Sequence, residues 1–202
     1  SLSEANRIYR LVYKDNHLKI GQTYYALSLN DYLRGDLKAA ASEIGQALEI
    51  YAKVLDPDNF INADALSLQG QILRDSKQPA AAEVSLLRAV DIYRKSFGKP
   101  HYMIGIADVY LALAASDQGR TARALAYLAD AKANYDVSYG KEHANHGDLL
   151  VNRAVILAKA GRGAEAKADC AEGLDILART MGSSAPFYIS SKATCAQLAG
   201  KS

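Results

Sequence analysis

The sequence predicts an all-α protein, a solenoid of antiparallel helix pairs, and three observations support that fold class. Half of the 202 residues are apolar, and much of that half is alanine, the strongest helix former. Only four prolines and 14 glycines are present, too few to punctuate a sheet of many strands. The chain also repeats itself at a period of 42 residues, the spacing from Gly35 to Lys77.

The repeat is visible as columns of equivalent residues in one register without insertions. The first column consists of turn residues, three glycines and one lysine. The second column holds alanine, the third holds small residues, the fourth holds tyrosine, and the fifth holds histidine or asparagine. These columns are Gly35, Lys77, Gly119 and Gly161; Ala40, Ala82, Ala124 and Ala166; Ser28, Gly70, Ala112 and Ala154; Tyr9, Tyr51, Tyr93 and Tyr135; and His17, Asn59, His101 and His143. The small columns indicate paired helices that approach closely, and the tyrosines indicate structural spacers between repeats.

Each repeat is predicted to contain two helices, because apolar residues recur at three or four positions on both sides of the turn. In the third repeat these are Tyr102 to Gln118 and Thr121 to Tyr139. We expect a single domain over 1–202 that starts in mid-repeat, so that the native protein continues upstream. Its parts are a second helix of a truncated repeat at 1–16, full repeats at 17–58, 59–100, 101–142 and 143–184, and a C-terminal capping helix at 185–202.

These residues resemble tetratricopeptide repeats, in the 42-residue form of kinesin light chains and of many bacterial scaffold and signalling proteins. The resemblance rests on the small and turn columns and on an aromatic-Gly-x-x-His hinge, seen from Phe97 to His101 and from Tyr139 to His143. It covers nearly the whole chain. The resemblance implies a right-handed superhelix whose concave groove is lined by the first helix of each repeat.

The groove positions that the resemblance implies are mostly uncharged. They are Gln22, Tyr25, Leu29 and Tyr32 in the first repeat; Asp64, Ser67, Gln71 and Arg74 in the second; Ile106, Val109, Tyr110 and Leu113 in the third; and Asp148, Val151, Asn152 and Val155 in the fourth. Chaperone-binding members of the family carry Lys, Arg and Asn there, and this chain does not. Only Asn152 matches the paired asparagines of kinesin light chains. An apolar or aromatic peptide, or another helix, is therefore the predicted partner.

The function predicted from these features is a non-catalytic protein-interaction module, part of a larger protein. Two alternatives remain open at this stage. The chain could be the regulatory or substrate-recruiting domain of a kinase or protease encoded upstream. It could also self-associate as a homo-oligomer through its terminal helices, where Leu2, Ile8 and Leu198 would be open.

Other functions find no support in the sequence. A net charge of +2 without a basic stripe disfavours nucleic acid, and no apolar run is long enough for membrane insertion. No cofactor motif or catalytic set is present, since Gly161-Arg162-Gly163 lacks the Lys-Ser/Thr ending of a phosphate-binding loop. The compartment stays undetermined, with the cytoplasm favoured and the periplasm an alternative.

The histidines are candidate metal ligands, and the two cysteines are a candidate reactive pair. His101, His143 and His146 lie at consecutive hinges, but the family places histidine in this column, so no metal site is predicted. Cys170 and Cys195 are predicted to be buried small hydrophobes. A bridge between them is the alternative if the protein is exported.

Overall fold

The regular elements are helices throughout the part of the chain that is described, residues 4, 7–9 and 17–199 of a computed structural model. Residues 4 and 7–9 are helical, and the remainder of 1–16 lies outside the described residues. The helices that follow are α1 (Leu18–Leu33), α2 (Leu37–Val54), α3 (Phe60–Asp75), α4 (Pro79–Phe97), α5 (Tyr102–Asp117), α6 (Thr121–Tyr139), α7 (Ala144–Lys159), α8 (Gly163–Met181) and α9 (Pro186–Ala199). The predicted all-α fold class is confirmed.

Paired helices are joined by the short turns that the repeat predicts. The turn residues Gly35, Gly119 and Gly161 have φ of 81°, 74° and 76°, in the left-handed region where glycine has no steric penalty. Lys77 has φ of 63° in the equivalent turn, so it adopts the same conformation at a cost of about 1 kcal/mol. The turn shape is thus kept where the glycine is lost.

The small columns allow the two helices of a repeat to approach closely. Ser28 is fully buried and its Oγ donates a 2.8 Å hydrogen bond to the carbonyl oxygen of Ala40, which joins α1 to α2. A Cβ atom on Gly70 would lie 2.5 Å from Cγ of Leu86, so α3 and α4 leave room only for a hydrogen there. The interpretation of these columns as helix contacts is confirmed by this geometry.

A further column of small residues, at the start of the first helices, accommodates the tyrosines. Tyr51, Tyr93 and Tyr135 are 1 %, 2 % and 2 % exposed. A Cβ on Gly21 would lie 2.5 Å from Cε1 of Tyr51, and one on Gly105 would lie 2.5 Å from Cε1 of Tyr135. The rings therefore pack on the first helix of their own repeat and are structural.

The chain divides into two compact units, the N-terminal unit up to Gly98 and the C-terminal unit from Lys99. In the N-terminal unit α2 packs between α1 and α3, and α3 packs on α4. Ile44, Tyr51 and Ile72 lie in its core.

The C-terminal unit has two core clusters. One joins α5, α6 and α7 around Ala124, Leu128 and Ile156. The other joins α7, α8 and α9 around Leu157 and Leu177. Helix α9 thus packs on both helices of the preceding repeat.

Asp108 is buried at 1 % exposure in α5. Its Oδ2 accepts a 3.3 Å hydrogen bond from Nδ2 of Asn134 on α6. Oδ1 of Asn134 in turn accepts from the backbone N–H of His101 at 3.2 Å. The polar pair Asp108 and Asn134 therefore joins α5 to α6.

The two cysteines form a disulfide, Cys170–Cys195, that joins α8 to α9. Both residues are 8 % exposed, so the predicted burial is confirmed. The prediction that they are separate small hydrophobes is wrong. The cause is tertiary: helix α9 packs along α8 and brings residues 25 positions apart in sequence to a Cα–Cα distance of 5.8 Å.

Candidate functional site

The histidine and asparagine column caps the first helix of each repeat. Nδ1 of His17, His101 and His143 accepts a hydrogen bond from the backbone N–H two residues later, at 3.2, 3.3 and 3.2 Å. Oδ1 of Asn59 does the same for Ile61 at 3.0 Å. Because histidine and asparagine both offer an acceptor at this point, they are equivalent in this column as N-caps.

His146 has a different role at the same hinge. Its Nε2 lies 2.9 Å from the carbonyl oxygen of Gly140 and 3.6 Å from Oδ1 of Asp136.

Within residues 4, 7–9 and 17–199, no three His, Cys, Asp or Glu side chains are grouped as metal ligands would be. Over the same residues, no helix combines the length and the apolar character needed to cross a bilayer.

A cleft of about 430 Å³ opens in the C-terminal unit. Five helices contribute to its walls, and most of the lining is apolar or aromatic. The lining residues are Ile106, Val109, Tyr110 and Leu113 from α5; Tyr135 from α6; Ala144, Asn145, Asp148 and Asn152 from α7; Met181 from α8; and Phe187 from α9. Its volume and composition are typical of sites that bind a few side chains of a ligand.

Helical periodicity explains why α5 contributes four residues to one wall. Ile106, Val109, Tyr110 and Leu113 follow the spacing i, i+3, i+4 and i+7, which places them on one face. Val109 and Leu113 are buried at 4 % and 7 % exposure and form the base of the wall, where it joins the core of the unit. The four residues predicted for the third repeat are thus brought together.

Asp148 supplies a carboxylate to the lining of this cleft. Its Oδ1 accepts a 3.1 Å hydrogen bond from Nδ2 of Asn152, one turn further along α7. Burial raises the pKa of Asp148 to about 6, and the hydrogen bond from Asn152 opposes that rise. The carboxylate is therefore held in an environment that disfavours its charge.

The equivalent aspartate of the N-terminal unit, Asp64, has a stronger partner. Oδ1 of Asp64 accepts a 2.6 Å hydrogen bond from the hydroxyl of Tyr93 on α4. Burial raises the pKa of Asp64, and the Tyr93 hydrogen bond lowers it. In the fourth repeat the position of Tyr93 is occupied by Leu177, which is fully buried and donates nothing.

The groove residues predicted for the first two repeats lie on α1 and α3 of the N-terminal unit. Tyr25 and Tyr32 are half-buried against its core, and the Tyr32 hydroxyl donates to Oδ2 of Asp75 at 2.8 Å. Burial and the charge of Asp64 raise the pKa of Tyr25.

The other groove positions predicted for these two repeats differ in exposure. Leu29 is 37 % exposed and Ser67 is buried. Nη1 of Arg74 lies 3.2 Å from Oδ1 of Asp75. Gln22 and Gln71 are half-buried.

Of the groove residues predicted for the fourth repeat, two line the cleft and two do not. Asn152 and Asp148 line the cleft. Val151 is 5 % exposed and belongs to the core cluster around Leu157 and Leu177. Val155 is half-buried and does not line the cleft.

Several cleft residues were not predicted, although the repeat contains a signal for two of them. Phe187 stands 42 positions after Asn145, and both line the cleft. Met181 stands in the aromatic hinge column, 42 positions after Tyr139. Tyr135 was predicted only as a structural spacer, yet its ring also faces the cleft.

The terminal residues proposed for self-association have mixed surroundings. Ile8 is 45 % exposed, whereas Leu198 is half-buried against the core cluster that contains the disulfide. Leu2 lies outside the described residues.

Comparisons with known proteins define the type of repeat. Residues 63–102 match the family model of the tetratricopeptide repeat. No curated protein matches the sequence.

Solved structures extend the likeness to the fold. A kinesin light chain-like protein of Podosopora anserina with nearly identical TPR-like repeats is 19 % identical, with 92 % of this chain and 88 % of that chain covered and a TM-score of 0.69. BtubC (BKLC) of P. vanneervenii is 17 % identical, with 99 % and 82 % covered and a TM-score of 0.74. A Rap protein complexed with competence and sporulation factor is 16 % identical, with 99 % and 54 % covered and a TM-score of 0.64.

The fold and the family match together define a class, the all-α proteins built of repeated antiparallel helix pairs. Residues 63–102 match a tetratricopeptide repeat, and the fold of the chain is similar to that of kinesin light chain-like proteins.

Proposed function

We propose that this chain is a non-catalytic protein-interaction module that binds a mainly apolar peptide segment of a partner protein in the cleft of the C-terminal unit. Tetratricopeptide repeats and the fold they share with kinesin light chain-like proteins support an interaction role in general terms. The Rap protein, which has a similar fold, was solved in complex with competence and sporulation factor. A partner for a repeat scaffold of this kind is thus a second polypeptide.

The observation that carries the proposal is the composition of the cleft. Tyr110 and Phe187 supply aromatic rings on different helices, and Phe187 is 43 % exposed. Asn145 and Asn152 supply amides that can donate to and accept from a peptide backbone. Aromatic side chains beside a few polar groups are typical of surfaces that anchor a partner.

A peptide selection tests this proposal directly. Peptides selected from a random display library against the whole chain are measured by titration with wild type and with Phe187→Ser. We expect Phe187→Ser to weaken binding by about tenfold, since it removes an aromatic anchor. The matched control is Ile189→Ser, because Ile189 is on the same helix and 56 % exposed but does not line the cleft.

Two outcomes would contradict the proposal. One is that the selected peptides bind Phe187→Ser as tightly as wild type, whatever the effect of Ile189→Ser. The other is that no peptide is enriched over an unrelated helical protein. Light scattering with and without peptide reports whether the chain binds itself instead.

A further inference from the structure

Asp148 is a carboxylate in an otherwise uncharged cleft. The residues that line the cleft in the described part of the chain include no Lys, Arg or His. The hydrogen bonds of the Asp148 side chain within that part come from Asn152, which shares its helix. Its charge is therefore not neutralised by any neighbour that the structure describes.

The free-energy cost of a carboxylate without a neutralising partner is avoided at the equivalent position of the second repeat. Asp64 occupies the equivalent position and receives the hydroxyl of Tyr93 across the helix pair. Leu177 stands in the place of that tyrosine and leaves Asp148 without the corresponding donor. A half-buried carboxylate without strong donors destabilises a protein unless a ligand supplies the missing partner.

The surroundings of Asp148 favour one kind of ligand group. The Tyr110, Tyr135 and Phe187 rings line the same cleft, and aromatic faces attract cations as well as apolar groups. Asn145 and Asn152 offer amide oxygens that accept further N–H donors. A planar guanidinium has several donors and an apolar stem that suit such a cleft.

We propose that Asp148 binds the guanidinium of an arginine side chain on the apolar peptide segment that occupies the cleft, and so sets the specificity of this module for a basic residue. This inference rests on the proposed function and adds the chemistry of one ligand side chain. Asp148 touches the ligand directly in this arrangement, and Asn152 orients its carboxylate.

Two small probes of matched shape test the charge requirement without knowledge of the partner. N-benzylguanidinium carries the cation, and N-benzylurea is its neutral counterpart. Both are titrated into the isotope-labelled whole chain, and binding is followed by the NMR shifts of the cleft residues. We expect the guanidinium probe to bind about tenfold more tightly than the urea, as a hydrogen bond to a charged group predicts.

Two variants test whether Asp148, and not the overall charge of the protein, causes the preference for the cationic probe. Asp148→Asn keeps the side-chain shape, so we expect the tenfold preference for the cation to disappear. Asp64→Asn is the matched control, because it removes the equivalent carboxylate of the N-terminal unit, and the preference should persist there. Equal binding of both probes to wild type, no binding of either probe, or a preference that survives in Asp148→Asn would each overturn the inference.

Failure of this inference can be told apart from failure of the proposed function. Peptides from the display selection are remade with citrulline in place of arginine and norleucine in place of lysine. If the selected peptides need Phe187 but lose nothing on these replacements, the cleft binds peptides and the cation requirement is wrong. If the peptides do not need Phe187 at all, the proposed function itself is wrong.

Discussion

Tyr93 donates a 2.6 Å hydrogen bond from its hydroxyl to Oδ1 of Asp64, so one helix of the second repeat stabilises a carboxylate on the other. Two repeats later the carboxylate is retained as Asp148, but Leu177 replaces the tyrosine. The same position is thus satisfied internally in one compact unit and left without that donor in the other. This difference separates a structural aspartate from a candidate ligand-binding one.

The Tyr93–Asp64 hydrogen bond should contribute measurably to stability. Tyr93→Phe is expected to lower the free energy of unfolding by about 1–3 kcal/mol at neutral pH, since it removes the donor to a half-buried carboxylate. The loss should shrink in acid, where protonated Asp64 no longer needs that donor. Urea unfolding at two pH values measures both effects.

The matched control for this variant is Tyr135→Phe. Tyr135 is equally buried, but no hydrogen bond from its hydroxyl is found in the described part of the chain. Its variant should change stability by less than about 0.5 kcal/mol. An equal loss in the two variants would show that the hydroxyl of Tyr93 acts through packing alone.

Asp148→Asn is expected to stabilise the protein at neutral pH. Because burial raises the pKa of Asp148 to about 6 from the usual 3.8, the folded state holds this proton more tightly than the unfolded state does. The free energy of unfolding therefore falls as pH rises from 3.8 to about 6, by linkage. At pH 7.5 the free energy of unfolding of Asp148→Asn should exceed that of wild type by on the order of 2 kcal/mol.

Measurements of unfolding at pH 3.5 complete this prediction. Both side chains are then neutral, so the stability difference between wild type and Asp148→Asn should vanish. A gain of the same size at both pH values would mean that the amide improves packing and that charge is not the cause.

The N-cap role of His101 makes a pH-dependent prediction. Burial and the charge of Lys99 lower the pKa of His101, so the folded state prefers the neutral ring whose Nδ1 accepts from Met103. Its stabilisation is complete above pH 6.5 and is lost as pH falls through the lowered folded pKa. At pH 8, His101→Ala should cost about 1 kcal/mol.

The matched control for this helix end is His101→Asn, because Asn59 caps α3 with an oxygen that does not become charged. His101→Asn should keep the cap and remove its dependence on pH between 5 and roughly 7. Thermal unfolding of the three proteins across this range measures the effect. A pH dependence that is unchanged in His101→Asn would assign it to another group.

The tyrosine packing predicts opposite outcomes for two glycine substitutions. Gly105→Ala would place Cβ 2.5 Å from Cε1 of Tyr135 and 3.1 Å from the carbonyl oxygen of Ala131, so we expect a loss of about 1–3 kcal/mol from overpacking. Gly45→Ala meets no atom within 4 Å and lies inside α2, so it should gain up to about 1 kcal/mol. Chemical unfolding of both variants distinguishes them, and a loss in both would refute the close contact at Gly105.

The Cys170–Cys195 disulfide should stabilise the docking of α9. It closes a loop of 25 residues, so Cys170→Ser with Cys195→Ser is expected to lower the free energy of unfolding by about 3 kcal/mol in the oxidised protein. Hydrogen exchange should rise first in α9. Non-reducing mass spectrometry checks the bond itself, and two free thiols in the protein purified under oxidising conditions would contradict it.

Local signals account for the part of the fold that could be predicted. The turn at Gly119, the end of α5 and the start of α6 depend on residues close in sequence, so a repeated pattern identifies them. The His101 column is also local, because an N-cap bonds to an N–H two residues away. Its column was predicted, but its function as a cap was not, since the pattern does not show which ring atom is used.

The repeat, its helix pairs and the columns of small residues between them can therefore be predicted from the sequence alone. Three relationships required the packing of the helices to be known: the Cys170–Cys195 bond, the cleft that Phe187 and Met181 form with α5, and the missing donor at Asp148. The physical reason is distance along the chain. These relationships join residues whose proximity depends on how several helices pack at once, and no periodicity within one helix contains that information.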